Sequence, residues 1–217
     1  MTAMILAAGL GTRMRPLTDH TPKPLLKAGD KPLIVWHIER LRDAGFKEIV
    51  INVAYLGDQI IDYLGDGSEY GVDITFSDEQ GEGPLETAGG IIKALPHLSE
   101  TFLVVNGDIW TDFPFDNGFE LKPDQLAHLI LIDNPEHNPA GDFPLAESDQ
   151  KYTFSGIGYY HKALFDSLSY GKQPLAPLLF RALETKQLTT QYYSGQWYDI
   201  GTPKRLYQLD RTLQDHD

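Results

Sequence analysis

Met1–Leu26 reads MTAMILAAGLGTRMRPLTDHTPKPLL. Its first part, Ala3–Ala8, is an apolar run short enough for a buried strand, and it breaks at once into Gly9 and Gly11. Arg13, Arg15 and Lys23 follow within one loop, although the chain as a whole carries a formal net charge of −13. Positive charge and free backbone N–H groups are therefore concentrated just after a strand, where open parallel sheets bind their ligands. Small residues let phosphates approach the backbone, and a guanidinium can grip two phosphate oxygens at once. The stretch predicts an anionic ligand. A P-loop would need two glycines four residues apart followed by Lys-Ser/Thr, which Gly9 and Gly11 do not supply. A dinucleotide fingerprint would start a helix at the glycines, whereas here Pro16, Pro22 and Pro24 intervene.

Outward from the loop, short apolar runs alternate with helical spacing. The patterns predict helices over Pro32–Ala44, Asp58–Leu64 and Thr87–Leu95, and strands over Glu48–Val53, Val72–Phe76 and Thr101–Asn106. Strand and helix at this spacing mean crossover units, hence a parallel sheet with helices on both faces. The second half is less regular. Strands are expected over Leu126–Asp133, Thr153–Tyr160 and Leu188–Tyr193, and helices around His161–Leu168, Pro174–Thr185 and Thr202–Leu213. Asn134–Gln150 reads as a loop with at most a short strand. No repeat or linker divides the chain, so one α/β domain is expected.

The totals agree. A chain of 217 residues with 41% hydrophobic and 23% charged residues can bury one substantial core. Its apolar runs are too short to span a bilayer, and no signal peptide is read at the start. The absence of cysteine removes thiol catalysis and thiolate metal sites and suits a cytoplasmic setting. The acidic balance argues against partnership with nucleic acid or a membrane surface. The seven histidines lack metal-ligand spacing, and His20 reads as a solvated loop residue.

LAAGLGTRMRPLTDHTPKP, Leu6–Pro24, resembles the signature L-A-A-G-x-G-T-R-x-x-P-L-T-x-x-x-P-K-P of the sugar-1-phosphate nucleotidylyltransferases. The resemblance implies a single-domain Rossmann-like fold over residues 1–217, a three-layer α/β/α arrangement with a mixed, mostly parallel central sheet. Its nucleotide-binding half would be residues 1–110 and its sugar-binding half residues 111–217. It implies nucleotide contacts by Leu6, Ala7, Ala8, Gly9, Gly11, Thr12, Arg13 and Lys23, with Arg13 and Lys23 catalytic. GPLETAGG, 83–90, looks like the second nucleotide-binding stretch, which brings in Glu86, Thr87, Ala88 and Gly89. Glu82, or else Gln80, would read the base. VVNGD and WYDIGTP resemble the segments that supply Asn106 and two magnesium ligands, Asp108 and Asp199. NPAGDF and FSGIGYY look like sugar-pocket segments, implying contacts by Asn106, Gly141, Asp142, Glu147, Ser155 and Gly156. Here the chain departs from many members. Ala146-Glu147-Ser148 stands where they carry Glu-Lys-Pro, and Lys151 is displaced.

What the resemblance implies is nucleotidyl transfer from a nucleoside triphosphate to a sugar 1-phosphate, with Mg²⁺, by a monomer or small homo-oligomer. PLETAGGI, NPAGDF, FSGIGYY and WYDIGTP are most similar to the N-acetylmuramate-1-phosphate uridylyltransferases of bacterial cell-wall recycling. The mannose-1-phosphate guanylyltransferases share several of these segments. An expectation of a different class is a regulator that binds a nucleotide sugar without turnover.

Overall fold

A computed structural model describes residues 1–83, 85–145 and 148–215. The elements run β1 (Thr2–Leu6), β2 (Lys27–Ala28), β3 (Lys31–Pro32), α1 (Leu33–Asp43), β4 (Glu48–Val53) and α2 (Gly57–Leu64). There follow β5 (Asp73–Asp78), α3 (Glu86–Ala94), β6 (Thr101–Asn106), β7 (Ile109–Thr111), β8 (Ala127–Ile132) and β9 (Phe143–Pro144). The chain ends with β10 (Lys151–His161), α4 (Ala176–Glu184), β11 (Leu188–Tyr192), β12 (Trp197–Asp199) and α5 (Pro203–Gln214).

The main sheet has the order β11-β8-β10-β6-β1-β4-β5. β5, β4, β1 and β6 are parallel, β10 runs antiparallel to both β6 and β8, and β11 is parallel to β8. The sheet is thus mixed and mostly parallel, as expected. Its central strands are apolar on both sides because both sides are covered. Ala3 and Ile5 face the cluster built on α1 and α2, while Met4 faces the one built on α3 and α4. Leu103 and Val105 alternate with Phe102 and Val104 in the same way. A third cluster joins Met14, Leu33, Trp110, Ile200, Leu206 and Leu209 under α5, whose first turn is capped by the Thr202 side chain.

One expectation is corrected, and a short ribbon is added. His161–Leu168 is not a helix of that length but a 3-10 turn over Lys162–Phe165, because β10 extends through His161, whose Nδ1 accepts the Ala163 N–H at 3.1 Å. β7 and β12 were not foreseen; each is three residues long, and they pair with each other antiparallel. Among the described residues no helix is long and apolar enough to cross a membrane.

Candidate active site

β1 has parallel neighbours on both sides, β4 and β6, so a crevice opens at the carboxyl ends where the connections diverge. A cavity of about 440 Å³ lies there, lined by residues 6–14, Lys23, Asn52, Glu79, residues 85–87, residues 106–108 and Gly201. The loop's shape is fixed from behind. The Thr18 hydroxyl donates to Gly11 O at 2.8 Å, Tyr55 donates to Thr18 O at 3.0 Å, and Gln59 donates to His20 O at 3.1 Å. Met14 is fully buried in the third cluster and pins the loop from below. Arg13 is exposed at the cavity and has no ion-pair partner among the described residues, whereas Arg15 is engaged with Asp19 on the surface at 3.4 Å.

Lys23 is 8% exposed, and its Nζ lies 2.9 Å from Asp108 Oδ2. Few lysines are buried without such a partner. Asp108 follows β6 through a tight turn in which Gly107 donates its N–H to Leu6 O at 2.9 Å. Asp108 O then accepts the Ile200 N–H at 2.9 Å, and Asp199 faces Ile109 across the β7–β12 ribbon. This ribbon brings the backbones of two acids from opposite halves of the sequence together. Their side chains differ in setting. Asp108 lines the 440 Å³ cavity, while Asp199 Oδ2 is held by Arg205 and by His137 at 3.1 Å, beside a smaller cavity of about 390 Å³. Gly201 separates the two, with its Cβ position 2.9 Å from Asp199 Oδ1. Among the described residues neither acid's Oδ1 has a hydrogen-bond partner, and no group of three or more acidic or histidine side chains forms a complete cation site. Both carboxylates offer the hard oxygen donors that a divalent cation takes, each with one oxygen, Oδ1, unpartnered among the described residues.

A second set of bonds ties three strand ends together. Ala7 donates its N–H to Asn52 Oδ1 at 2.8 Å, and Asn52 Nδ2 donates to Glu79 Oε1 at 2.8 Å. Asn52 and Glu79 are 4% and 3% exposed, and both line the cavity. Burial pushes the Glu79 carboxyl above its ordinary range, against the opposing pull of the Asn52 hydrogen bond and Lys93. Glu79 was missed in the sequence, where Glu82 or Gln80 was favoured. The structure turns Glu82 away, with both carboxylate oxygens engaged by Lys93 and Tyr170, and sends Gln80 to Asp58 and Asp78. Ala88 and Gly89 also fall outside the cavity, because both donate their N–H groups to Gln173 O, at 3.0 and 3.1 Å. Leu6, Ala7, Ala8, Gly9, Gly11, Thr12, Arg13, Lys23, Glu86, Thr87 and Asn106 do line it.

A second cavity of about 600 Å³ adjoins the first and shares Leu6, Glu86, Thr87 and Asn106 with it. Glu86 stands at the boundary with a positive φ of 59°, an unusual conformation for a residue with a side chain and one that clusters at binding sites. Asp142 and Gly156 line this second cavity along with Phe143, Phe154 and Tyr160. Asp142 is already committed, accepting from the Phe154 N–H at 2.8 Å and from Asn138 at 3.1 Å. Ser155 is not brought to the cavity; it is buried, and its hydroxyl donates to Ile130 O at 2.7 Å. Gly141 lies behind the wall against Lys151 and Asn134. Glu147 lies outside the described residues.

Comparison with known proteins assigns the chain to a family. Residues 2–155 match the nucleotidyl transferase family. The chain is 51% identical to the N-acetylmuramate alpha-1-phosphate uridylyltransferase of Neisseria meningitidis, over 95% of each chain. It is 31% identical to the mannose-1-phosphate guanylyltransferase catalytic subunit beta of Drosophila melanogaster, covering 93% of this chain and 60% of that one. The solved structure of HddC from Yersinia pseudotuberculosis superposes with a TM-score of 0.78 at 22% identity, over 97% of this chain and 98% of that one, which speaks for the fold. With the family model matched over most of its length and a relative more than half identical across nearly all of it, the chain belongs to the nucleotidyl transferase family.

Proposed function

We propose that this enzyme transfers the uridylyl group of UTP to a sugar 1-phosphate, N-acetylmuramate 1-phosphate, and releases pyrophosphate. The observation that carries the reading is the junction of two cavities at Leu6, Glu86, Thr87 and Asn106, with the Lys23–Asp108 pair in the wall of the first. The choice of substrates is supported by the likeness to the Neisseria enzyme along nearly its whole length.

The acceptor's phosphate oxygen attacks the α-phosphorus of UTP. A new P–O bond forms, the α–β bridging P–O bond breaks, and pyrophosphate departs with the electron pair. The attacking phosphate is already ionised at neutral pH, so no general base is required. The work of the site is to hold polyanions in line and to offset their charge. Arg13, free of any carboxylate among the described residues, grips the β- and γ-phosphates. Lys23 serves the α-phosphate and the incoming phosphate, and its buried stem fixes where its charge sits. Asp108 and Asp199 would hold Mg²⁺, which when bound supplies charge neutralisation to the reacting phosphates. The base lies against Glu79 and the start of α3, and the sugar takes the 600 Å³ cavity. Residues 1–110 thus serve the nucleotide and residues 111–217 chiefly the acceptor. The cysteine-free chain suits the reducing cytoplasm, where the proposal sets a step of cell-wall recycling.

The test is a matrix of UTP, GTP, dTTP and CTP against N-acetylmuramate, N-acetylglucosamine, mannose and glucose 1-phosphates with Mg²⁺, read by pyrophosphate release. The highest kcat/KM is expected for UTP with N-acetylmuramate 1-phosphate. A preference for GTP with mannose 1-phosphate would overturn the choice of substrates and leave the reaction class. Absence of pyrophosphate from every pairing would leave a binding protein.

A further inference from the structure

The uridylyl reading does not say how one acidic side chain chooses a pyrimidine with a single ring N–H over guanine, which offers two neighbouring donors. The hydrogen bonds behind the phosphate loop supply an answer. Glu79 Oε1 accepts from Asn52 Nδ2 at 2.8 Å, and it fills the space over Gly90, where a Cβ would stand 2.7 Å away. That oxygen is enclosed by Asn52 on one side and α3 on the other. Oε2 has no protein hydrogen-bond partner among the described residues, and Glu79 lines the nucleotide cavity. Asn52 cannot turn its amide over, because its Oδ1 already accepts the Ala7 N–H at 2.8 Å. A carboxylate pairing with guanine uses both oxygens, one for N1–H and one for the 2-amino group. Pairing with uracil needs one oxygen, for N3–H, flanked by carbonyls that seek donors.

We infer that Asn52 is a specificity-determining residue: by holding Glu79 Oε1 it leaves the base one acceptor, which suits uracil and leaves guanine's 2-amino group unpaired. The inference rests on the uridylyl reading and deepens it. Asn52 acts through Glu79, so it positions the reading group and does not touch the base edge itself.

Inosine triphosphate separates this effect from ring size, since hypoxanthine is a purine with guanine's N1–H and no 2-amino group. Dissociation constants of the Mg²⁺ complexes of UTP, GTP and inosine triphosphate are measured on the purified chain. The wild type is expected to bind inosine triphosphate at least ~10-fold tighter than GTP, the scale of one buried donor left unpaired. In Asn52→Ala that gap closes to within about 3-fold, because Oε1 becomes available. An equal gap in both proteins, or a wild type that binds GTP as tightly as inosine triphosphate, overturns the inference. Glu79→Gln, nearly the same shape, tests the lock without removing it. With Asn52 holding the carbonyl oxygen of the new amide, its NH₂ group faces the cavity and donates to the unprotonated N3 of cytosine. The ratio of CTP to UTP affinity is then expected to rise at least ~10-fold. If that ratio does not move, the amide turns freely and Asn52 fixes nothing. A wild type that does not prefer UTP in turnover sinks the uridylyl reading, whereas a UTP-selective enzyme with unmoved ratios sinks only the role of Asn52.

Discussion

The two sides of the crevice are built by different means. On the side proposed for the nucleotide the lining groups sit at the ends of parallel strands, and hydrogen bonds between neighbouring strand ends hold them: Ala7 to Asn52, Asn52 to Glu79, Gly107 to Leu6. On the acceptor side the wall is one long antiparallel strand, β10, whose register against β8 shifts between Phe154 and Gly158, together with aromatic rings such as Phe143 stacked on Phe180 at 5.0 Å. A bulge of this kind re-aims side chains locally. The first side is specified by hydrogen bonds between neighbouring strand ends. The second depends on ring packing against an irregular strand. Charge chemistry is therefore concentrated on one side and shape on the other.

The sharpest way to break this comparison is Lys23→Ala, which should remove charge compensation while leaving the acceptor wall intact. Turnover is expected to fall ~100- to 1000-fold, about 3–4 kcal/mol of barrier. Near-normal turnover would mean that the buried lysine serves only to hold Asp108.

A somewhat smaller effect tests the framework behind the nucleotide side. His37, buried on α1, donates from Nε2 to Ile109 O at 2.8 Å and so supports the strand that follows Asp108. Burial pushes its pKa down to about 4 from 6.5. The neutral ring is thus favoured in the folded state, so stability is full above pH 6.5, declines as pH falls from there, and loses no more below about pH 4. The loss reaches roughly 3 kcal/mol. Urea unfolding at about pH 7 and about pH 4.5, on either side of most of this window, should show a smaller acid loss in His37→Gln than in the wild type. Equal losses would remove the ring from the account.

The mildest test lies on the acceptor side. Gly156 has φ +83° and its Cβ position is 2.6 Å from Asn106 Nδ2. Gly156→Ala must both adopt a left-handed backbone and push on Asn106, a strain of about 1–2 kcal/mol. The KM for the sugar 1-phosphate is expected to rise ~10-fold, the kinetic equivalent of that strain. A larger effect on UTP than on the acceptor would show that the two sides are not separable at Asn106.

Legibility in the sequence follows the same division. β4 and β6 were expected at Glu48–Val53 and Thr101–Asn106, the bounds the structure shows, because a doubly covered strand is a continuous apolar run with polar ends. β7 and β12 were invisible, since three residues carry no periodicity and each strand exists only through its remote partner. Glu79 was hidden by ending β5 at Phe76. The strand runs to Asp78, and its alternation buries Ser77 and Glu79 while exposing Asp78 and Gln80. The two-residue period of Val72, Ile74 and Phe76, carried on, lands instead on the exposed Asp78 and Gln80, so the sequence pattern does not reach Glu79. The placing of Ala88 and Gly89 outside the cavity was hidden for a related reason: the carbonyl that takes their N–H groups belongs to Gln173, remote in sequence.

Met14 gives the molecule an unexpected order of assembly. The side chain that seats the first loop shares one buried cluster with Ile200, Leu206 and Leu209, which follow it at the far side of the whole sheet in sequence. A growing chain can lay down most of its sheet while the opening loop still lacks its floor. The proposed grip on triphosphate is therefore complete only once α5 has docked beneath the loop.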